Sequence, residues 1–171
     1  LDTKINMWVG HTSGALGWGT FPWMDPSTIH GIVVDISCMD GGTDGYQAIV
    51  AHEFGHYLNL RHVWGDGACD VDDCGPWPDT GCVLADTPTQ SYSTSGCPTS
   101  FPNTCTDSVD ERDDMFENFM DYNSAECAGI FTNGQTAIIR DCLDNDRPAI
   151  INATGSPPTT TPSPQTTTTT P

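Results

Sequence analysis

Basic side chains are scarce in this chain. Five Lys and Arg stand against 23 Asp and Glu, a formal net charge of −18. That balance excludes nucleic acid and anionic membrane surfaces as partners, because both select basic patches. Long apolar runs are missing too. Nothing approaches the roughly 20 residues of a membrane-spanning helix, and the chain opens Leu1-Asp2-Thr3-Lys4 without a signal sequence. The expectation is a mature or trimmed portion that does not enter a membrane. The eight cysteines contain no C-x-x-C pair. An even number without that pair points to four disulfides in an oxidising compartment, hence to a secreted, extracellular protein.

The length of 171 residues allows one domain with a sizeable core plus a tail. The acids crowd between Asp66 and Asp86. Solubility alone accounts for such acidity, and so does calcium, which takes carboxylate and carbonyl oxygens.

The chain is organised around His52-Glu53-Phe54-Gly55-His56-Tyr57-Leu58-Asn59-Leu60-Arg61-His62. At about 100° per residue, His52 and His56 fall roughly 40° apart on one helix face, and Val50, Phe54, Tyr57 and Leu58 fall opposite. Glu53 lies beside the imidazoles without joining them, the place for a general base acting on metal-activated water. His62 cannot reach that face on a straight helix, so the helix must stop and the chain fold back. Asn59 permits this, because Asn tolerates the left-handed conformation that ends helices. Three neutral imidazoles leave one tetrahedral position open, which favours a catalytic zinc over a structural one.

This stretch resembles the metzincin metallopeptidase signature H-E-x-x-H-x-x-G-x-x-H, which is followed by a methionine turn. Asn59 stands where the signature has Gly, and Asn118-Phe119-Met120-Asp121-Tyr122 matches the turn. Within the metzincins the chain is similar to the pappalysin family. The Asp86-Thr87-Pro88 run, Cys127 and Phe131-Thr132-x-Gly134-Gln135 carry that resemblance, which covers residues 4–145. Several roles are implied by it. Met120 lies beneath the zinc ligands without bonding the metal, and Tyr122 binds the metal or steadies the oxyanion. Calcium is held near Asp79, the Val83 carbonyl, Asp86 and Thr87. Cys97 pairs with Cys127 and Cys74 with Cys105, which leaves Cys69 with Cys82 and Cys38 with Cys142. Sequence alone admits roughly a hundred connectivities for eight cysteines. The pocket for the residue after the cut takes its wall from residues 123–131, where Glu126 reads as a solvated acid in preference to one that draws a basic side chain inward. The stretch before His52 is short for the family, so part of the catalytic domain is expected to be missing.

Taken in order, residues 4–9 alternate as a strand, and Leu16-Gly17-Trp18-Gly19-Thr20-Phe21, closed by Pro22, reads as an edge strand. In metzincins the equivalent edge, here Leu16 to Thr20, borders the cleft and pairs with extended substrate by strand addition. The competing reading is a Gly-rich loop with a buried Trp18. Gly31-Ile32-Val33-Val34-Asp35-Ile36 fits a central strand covered on both faces. Asp44 and Gln47 read as a capping box, so the active-site helix should run from about Asp44 to near Leu58. Residues 63–117 lack regular periodicity and read as a cross-linked irregular segment. Thr132 and Gln135 form a capping box for a final helix on which Ile138, Ile139, Cys142 and Leu143 share a face. Cys142 is thereby directed inward, which independently favours Cys38 as its partner. Residues 1–150 form the expected catalytic domain, and residues 151–171 a Thr/Pro-rich linker or stalk that joins another module.

The fold expected is α+β and metzincin-like: a small mixed twisted sheet with the active-site helix beneath it, then an irregular disulfide-rich C-terminal subdomain with one terminal helix. The function expected is a monomeric, secreted zinc endopeptidase acting on protein or peptide substrates, with Zn2+ for catalysis and Ca2+ for structure. A reading of another class is a catalytically silent, metal-stabilised extracellular binding or adhesion module.

Overall fold

Three short strands make the sheet in the computed structural model, which describes residues 3–24, 30–39, 46–65, 69, 84–106, 112–124 and 126–152. β3 (Ile32–Asp35) is central, with β1 (Met7–Gly10) parallel on one side and β2 (Gly17–Gly19) antiparallel on the other. Ile32 and Val34 are fully buried against the helical layer. Val33 points the other way, in register with Trp8 and Trp18, which stay 42% and 40% exposed. The apolar run 31–36 is therefore covered fully on one face, and Ile36 leaves the strand to begin a 3-10 turn (Ile36–Met39). Trp18 is not buried, so the loop reading of residues 16–21 falls and the edge-strand reading stands.

α1 (Tyr46–Tyr57) crosses beneath β2 and β3. The expected cap at Asp44 lies outside the described residues. Strand and helix meet backbone to backbone. A Cβ on Gly19 would come within 2.3 Å of the Glu53 carbonyl oxygen, and one on Gly17 within 2.8 Å of the Glu53 side chain. The glycines of β2 thus have a packing reason beyond their tolerance of an edge: any side chain there would push the sheet off the helix.

The end of α1 follows from its hydrogen bonds. The Leu60 N–H donates to the Gly55 carbonyl (2.8 Å) and the Asn59 N–H to the His56 carbonyl (3.0 Å), with Asn59 at φ 73°. These are the two reversed bonds of a left-handed helix terminus. The chain folds back, and Leu60 and Val63 pack on Met120 in a cluster flanked by Trp64, Phe131, Ile138 and Ile139.

Beyond it, loops are tied by side chains rather than by sheet. Asp114 Oδ1 accepts from the Thr104 N–H and hydroxyl, both at 3.2 Å. Thr132 and Gln135 make the expected capping box at the start of α2 (Asn133–Asp141). The single terminal helix becomes three pieces: after α2 the backbone widens into a π-helical turn (Cys142–Asp146), and Pro148 opens α3 (Pro148–Ile151). The turn delivers Arg147 into the interior. Its Nε donates to the Tyr57 carbonyl (2.9 Å), Nη2 to the Thr20 carbonyl (3.0 Å), and its guanidinium lies 3.6 Å from the Tyr57 ring centroid. One buried cation thereby fastens the end of α1 to the end of β2.

The cross-links differ in part from expectation. Cys97 is bonded to Cys127, with Cα atoms 5.8 Å apart. Cys69 is bonded to Cys105, with Cα atoms 5.4 Å apart, within bridging range. A sulfur makes one such bond, so neither the Cys74–Cys105 nor the Cys69–Cys82 pairing holds; Cys74 and Cys82 lie outside the described residues. The Cys38–Cys142 pairing is also corrected. Both thiols are buried but unbonded. Cys38 Sγ faces the Leu16 carbonyl at 3.7 Å, whereas Cys142 neighbours Asp146 and Arg147, and burial pushes its thiol up to about 11.

Candidate active site

The backbone reversal at Asn59 brings His62 round to His52 and His56. The ligand atoms of the three histidines all lie within 4.8 Å of one another, and the Nε2 atoms of His56 and His62 are 3.1 Å apart. Zinc–nitrogen bonds of 2.0–2.1 Å in a tetrahedron separate the nitrogens by about 3.3 Å, which the His56–His62 spacing matches. Each helical imidazole is oriented from behind. His52 Nδ1 donates to the Phe119 carbonyl (2.7 Å) and His56 Nδ1 to the Leu60 carbonyl (2.8 Å). With the proton fixed on Nδ1, Nε2 presents a lone pair to the centre. Burial and mutual repulsion keep the rings neutral: His52 is lowered, His56 is pushed down to about 4 and His62 to about 2. Neutral imidazole is the form that binds metal.

Glu53 is buried next to the cage, and burial pushes its carboxyl up to about 8, with the Gly19 backbone amide opposing part of the rise. Its Oε2 has no hydrogen-bond partner. An unpaired buried carboxylate oxygen on a residue that lines the same groove as the three imidazoles is what a cation and a reacting water would satisfy.

Met120 lies fully buried under α1; a Cβ on Gly55 would meet its Sδ at 2.2 Å. The turn carrying it is held rigidly. The Met120 N–H donates to Asn118 Oδ1 (2.9 Å), and the amides of Asn118 and Gln135 exchange hydrogen bonds at 2.8 and 3.1 Å. The His52 ring is thus oriented by a turn that is itself tied to α2. Tyr122 is 58% exposed, with its ring 4.8 Å from that of His62 and 5.5 Å from that of His52.

Similarity to known proteins agrees with this geometry. The family model Peptidase_M43, described as pregnancy-associated plasma protein-A, matches residues 33–144. The chain belongs to this pappalysin family of metzincin metallopeptidases. An extracellular metalloprotease of Arthroderma otae is 37% identical over 137 residues, which is 75% of this chain and 46% of that one. One from Aspergillus fumigatus is 40% identical over 90 residues, 53% of this chain and 25% of that one. Mature mirolysin of Tannerella forsythia, solved in complex with a cleaved peptide, matches with a TM-score of 0.69 at 32% identity, over 85% of this chain and 55% of that chain. The pappalysin chain spans about half or less of the length of these curated relatives.

In this pappalysin the structure also brings together groups that the motifs do not announce. The Trp64 ring stacks on His62 at 4.2 Å and 6°, and Phe21 lies 5.1 Å from His56. These rings pack directly against two of the three imidazoles. Trp64 follows His62 by two residues, and no periodic signal marks it. Of the edge Leu16 to Thr20 expected at the cleft, Gly17 to Gly19 line the open groove together with Phe21, His52, Glu53 and His62 and Leu16 the adjoining cavity, whereas Thr20 is fully buried with its carbonyl held by Arg147 and lies outside both.

Of the calcium set, Asp79 and Val83 lie outside the described residues. Asp86 Oδ2 accepts from the Gly134 N–H (2.8 Å) at the start of α2, which lowers its carboxyl. Thr87 Oγ1 lies 3.3 Å from Thr132 Oγ1. Asp86 therefore already serves as the negative charge at a helix N-terminus. Its second oxygen, Oδ1, is buried without a partner, so one donor fits a cation there. Among the described residues no helix is long and apolar enough to cross a membrane.

Proposed function

We propose that the chain is the catalytic part of a secreted zinc endopeptidase that cuts extended protein or peptide substrates. The observation that carries this reading is the closure of three neutral imidazoles around one point, with Glu53 lining the same groove and its buried Oε2 unpaired. His52, His56 and His62 hold the metal through Nε2. Zinc, when bound, supplies Lewis-acid polarisation of a carbonyl and makes water acidic enough to lose a proton near neutral pH.

The chain's own groups do the rest. A substrate strand runs along the free edge of β2 and satisfies its ladder groups. Glu53, which ionises more readily beside a cation, takes the proton of the attacking water and returns it to the departing amine. The Tyr122 phenol, a donor when protonated and held above its usual pKa by burial and by Glu53, donates to the oxygen on which charge develops. Calcium at Asp86 and Thr87 is proposed as structural, joining the loop before residue 88 to α2.

The test is casein hydrolysis by the purified protein. Activity should disappear with a zinc chelator and return on adding zinc. Glu53→Ala should keep its zinc and lose about two to four orders of magnitude in turnover. Undiminished turnover in that variant would remove Glu53 from the role of base.

A further inference from the structure

We infer that Arg147 is a positioning residue for peptide cleavage, holding the substrate edge of β2 at a fixed distance from the histidine cage of α1. The inference rests on the peptidase reading above and adds to that site a residue lying outside its groove.

Arg147 is 5% exposed and stands where the π turn ends, its N–H donating to the Cys142 carbonyl (2.8 Å). Nε and Nη2 lie on one edge of the guanidinium plane, the edge that in ion pairs grips both oxygens of a carboxylate. Here that edge grips two backbone carbonyls from different elements, Tyr57 at 2.9 Å and Thr20 at 3.0 Å. Nη1 lies 3.2 Å from His30 Nε2, and the guanidinium covers the Tyr57 ring. None of these partners is a carboxylate; carbonyl dipoles and an aromatic face stabilise the buried charge. A rigid fork fixes both carbonyls relative to each other, which an ammonium on a flexible stem does not.

Both carbonyls adjoin working parts of the site. Tyr57 follows His56 and closes α1; its carbonyl is one of the last four of the helix, which lack an intrahelical donor. Thr20 follows Gly19 and is fully buried. Its N–H donates to the Gly31 carbonyl (3.0 Å), and its hydroxyl exchanges hydrogen bonds with the Gly31 backbone at 2.9 and 3.1 Å. Those bonds tie Thr20 to the chain entering β3, and Arg147 ties it to α1. Gly19 itself lies against the helix: a Cβ there would meet the Glu53 carbonyl at 2.3 Å, the His56 Cβ at 3.1 Å and the Tyr57 nitrogen at 3.2 Å. Contact of this kind limits how near β2 can come. The two charge-assisted bonds of Arg147 hold it there.

Without the guanidinium two buried carbonyls lose a donor, and β2 can shift relative to α1. A substrate backbone paired to Gly17–Gly19 would shift with it, away from the cage and Glu53. A displacement on the order of 1 Å at the reacting atoms costs about 100-fold in rate even when its origin is remote. The helical imidazoles take their support elsewhere, from the Phe119 and Leu60 carbonyls, so the cage should survive the substitution.

Arg147→Lys and Arg147→Ala in the full, zinc-loaded chain test this with two ligands. An extended peptide substrate uses both β2 and the cage, whereas acetohydroxamate is small enough to use the cage alone. Per folded, zinc-loaded molecule, kcat/KM for the peptide should fall by about 10- to 100-fold, less in Arg147→Lys than in Arg147→Ala. Zinc content and acetohydroxamate affinity should stay those of the native protein. A purely structural role leaves a different pattern: peptide kinetics per folded molecule unchanged, or peptide turnover and acetohydroxamate affinity falling together. Either result overturns the inference, as does failure of Arg147→Lys to fold, which would make Arg147 a residue of the fold alone. Absence of both peptide cleavage and acetohydroxamate binding in the native chain would instead remove the peptidase reading, and the inference with it.

Discussion

Single residues set the distances at the site, and Gly19 shows how narrowly. Its backbone touches that of Glu53, and a methyl group there would need space already held by the Glu53 carbonyl at 2.3 Å. Backbone on both sides cannot yield cheaply, so Gly19→Ala should force β2 away from α1. We expect a loss of about 1–3 kcal/mol of stability from overpacking. Because β2 is also the proposed substrate edge, KM for an extended peptide should rise in the folded fraction. Chemical denaturation alongside steady-state kinetics checks both; an unchanged denaturation midpoint and KM would show that the close approach carries no constraint. Gly55 has a similar relation to Met120, but there the opposing atom is Sδ of a flexible side chain rather than backbone, so its substitution should cost less.

At the level of elements, the turn that ends α1 determines whether the third ligand arrives. Asn59 at φ 73° occupies a conformation that costs a residue with an ordinary Cβ about 1–2 kcal/mol. Asn59→Ala should lose about that much stability, while Asn59→Gly should be neutral or better. Zinc affinity should follow the same order, since His62 lies beyond the turn. Isothermal calorimetry with zinc on the three proteins measures it, and equal affinities would mean that the cage forms without the turn. This element was legible in sequence because one residue, Asn59, carries the physics of the reversal, and so was α2, whose capping box reads directly as Thr132 and Gln135. Among the disulfides, only Cys97 with Cys127 was expected correctly, through the family resemblance, and the other three pairings were not. Pairing depends on which loops lie side by side in space, and local spacing cannot express that; Cys69 reaches Cys105 across 36 residues. The buried Arg147 was equally silent, because its partners, the backbone carbonyls of Tyr57 and Thr20 and the rings of His30 and Tyr57, lie 90 to 127 residues away in sequence. The π turn that delivers it has no composition signal. Asp121 was noticed as part of a motif, but its engagement by Gln90 and Thr94 needs the fold.

Across the whole molecule, the buried histidines tie stability to pH. Folding lowers the pKa of His56 to about 4 and of His62 to about 2 from an ordinary value near 6.5. At these two groups the unfolded chain therefore binds more protons than the folded one below that value, so their contribution is present above pH 6.5 and lost as pH falls through their folded pKa values, while Glu53, raised to about 8, offsets part of the loss by holding one proton more in the folded chain. The metal-free protein should lose Tm between about pH 6.5 and pH 5, a range in which ordinary carboxylates remain ionised. Zinc binding to the folded form adds stability by mass action, so the loaded protein should unfold at higher temperature at pH 7. Differential scanning calorimetry of both forms across this range decides the point, and a flat profile for the metal-free protein would contradict the burial of neutral imidazoles.

The cage itself is open to a direct measurement, X-ray absorption at the zinc edge of the loaded protein at pH 7. The account predicts three imidazole nitrogens at about 2.0–2.1 Å and one oxygen position that an added hydroxamate displaces. A sulfur scatterer at about 2.3 Å, or a fourth protein nitrogen that no hydroxamate displaces, would contradict it.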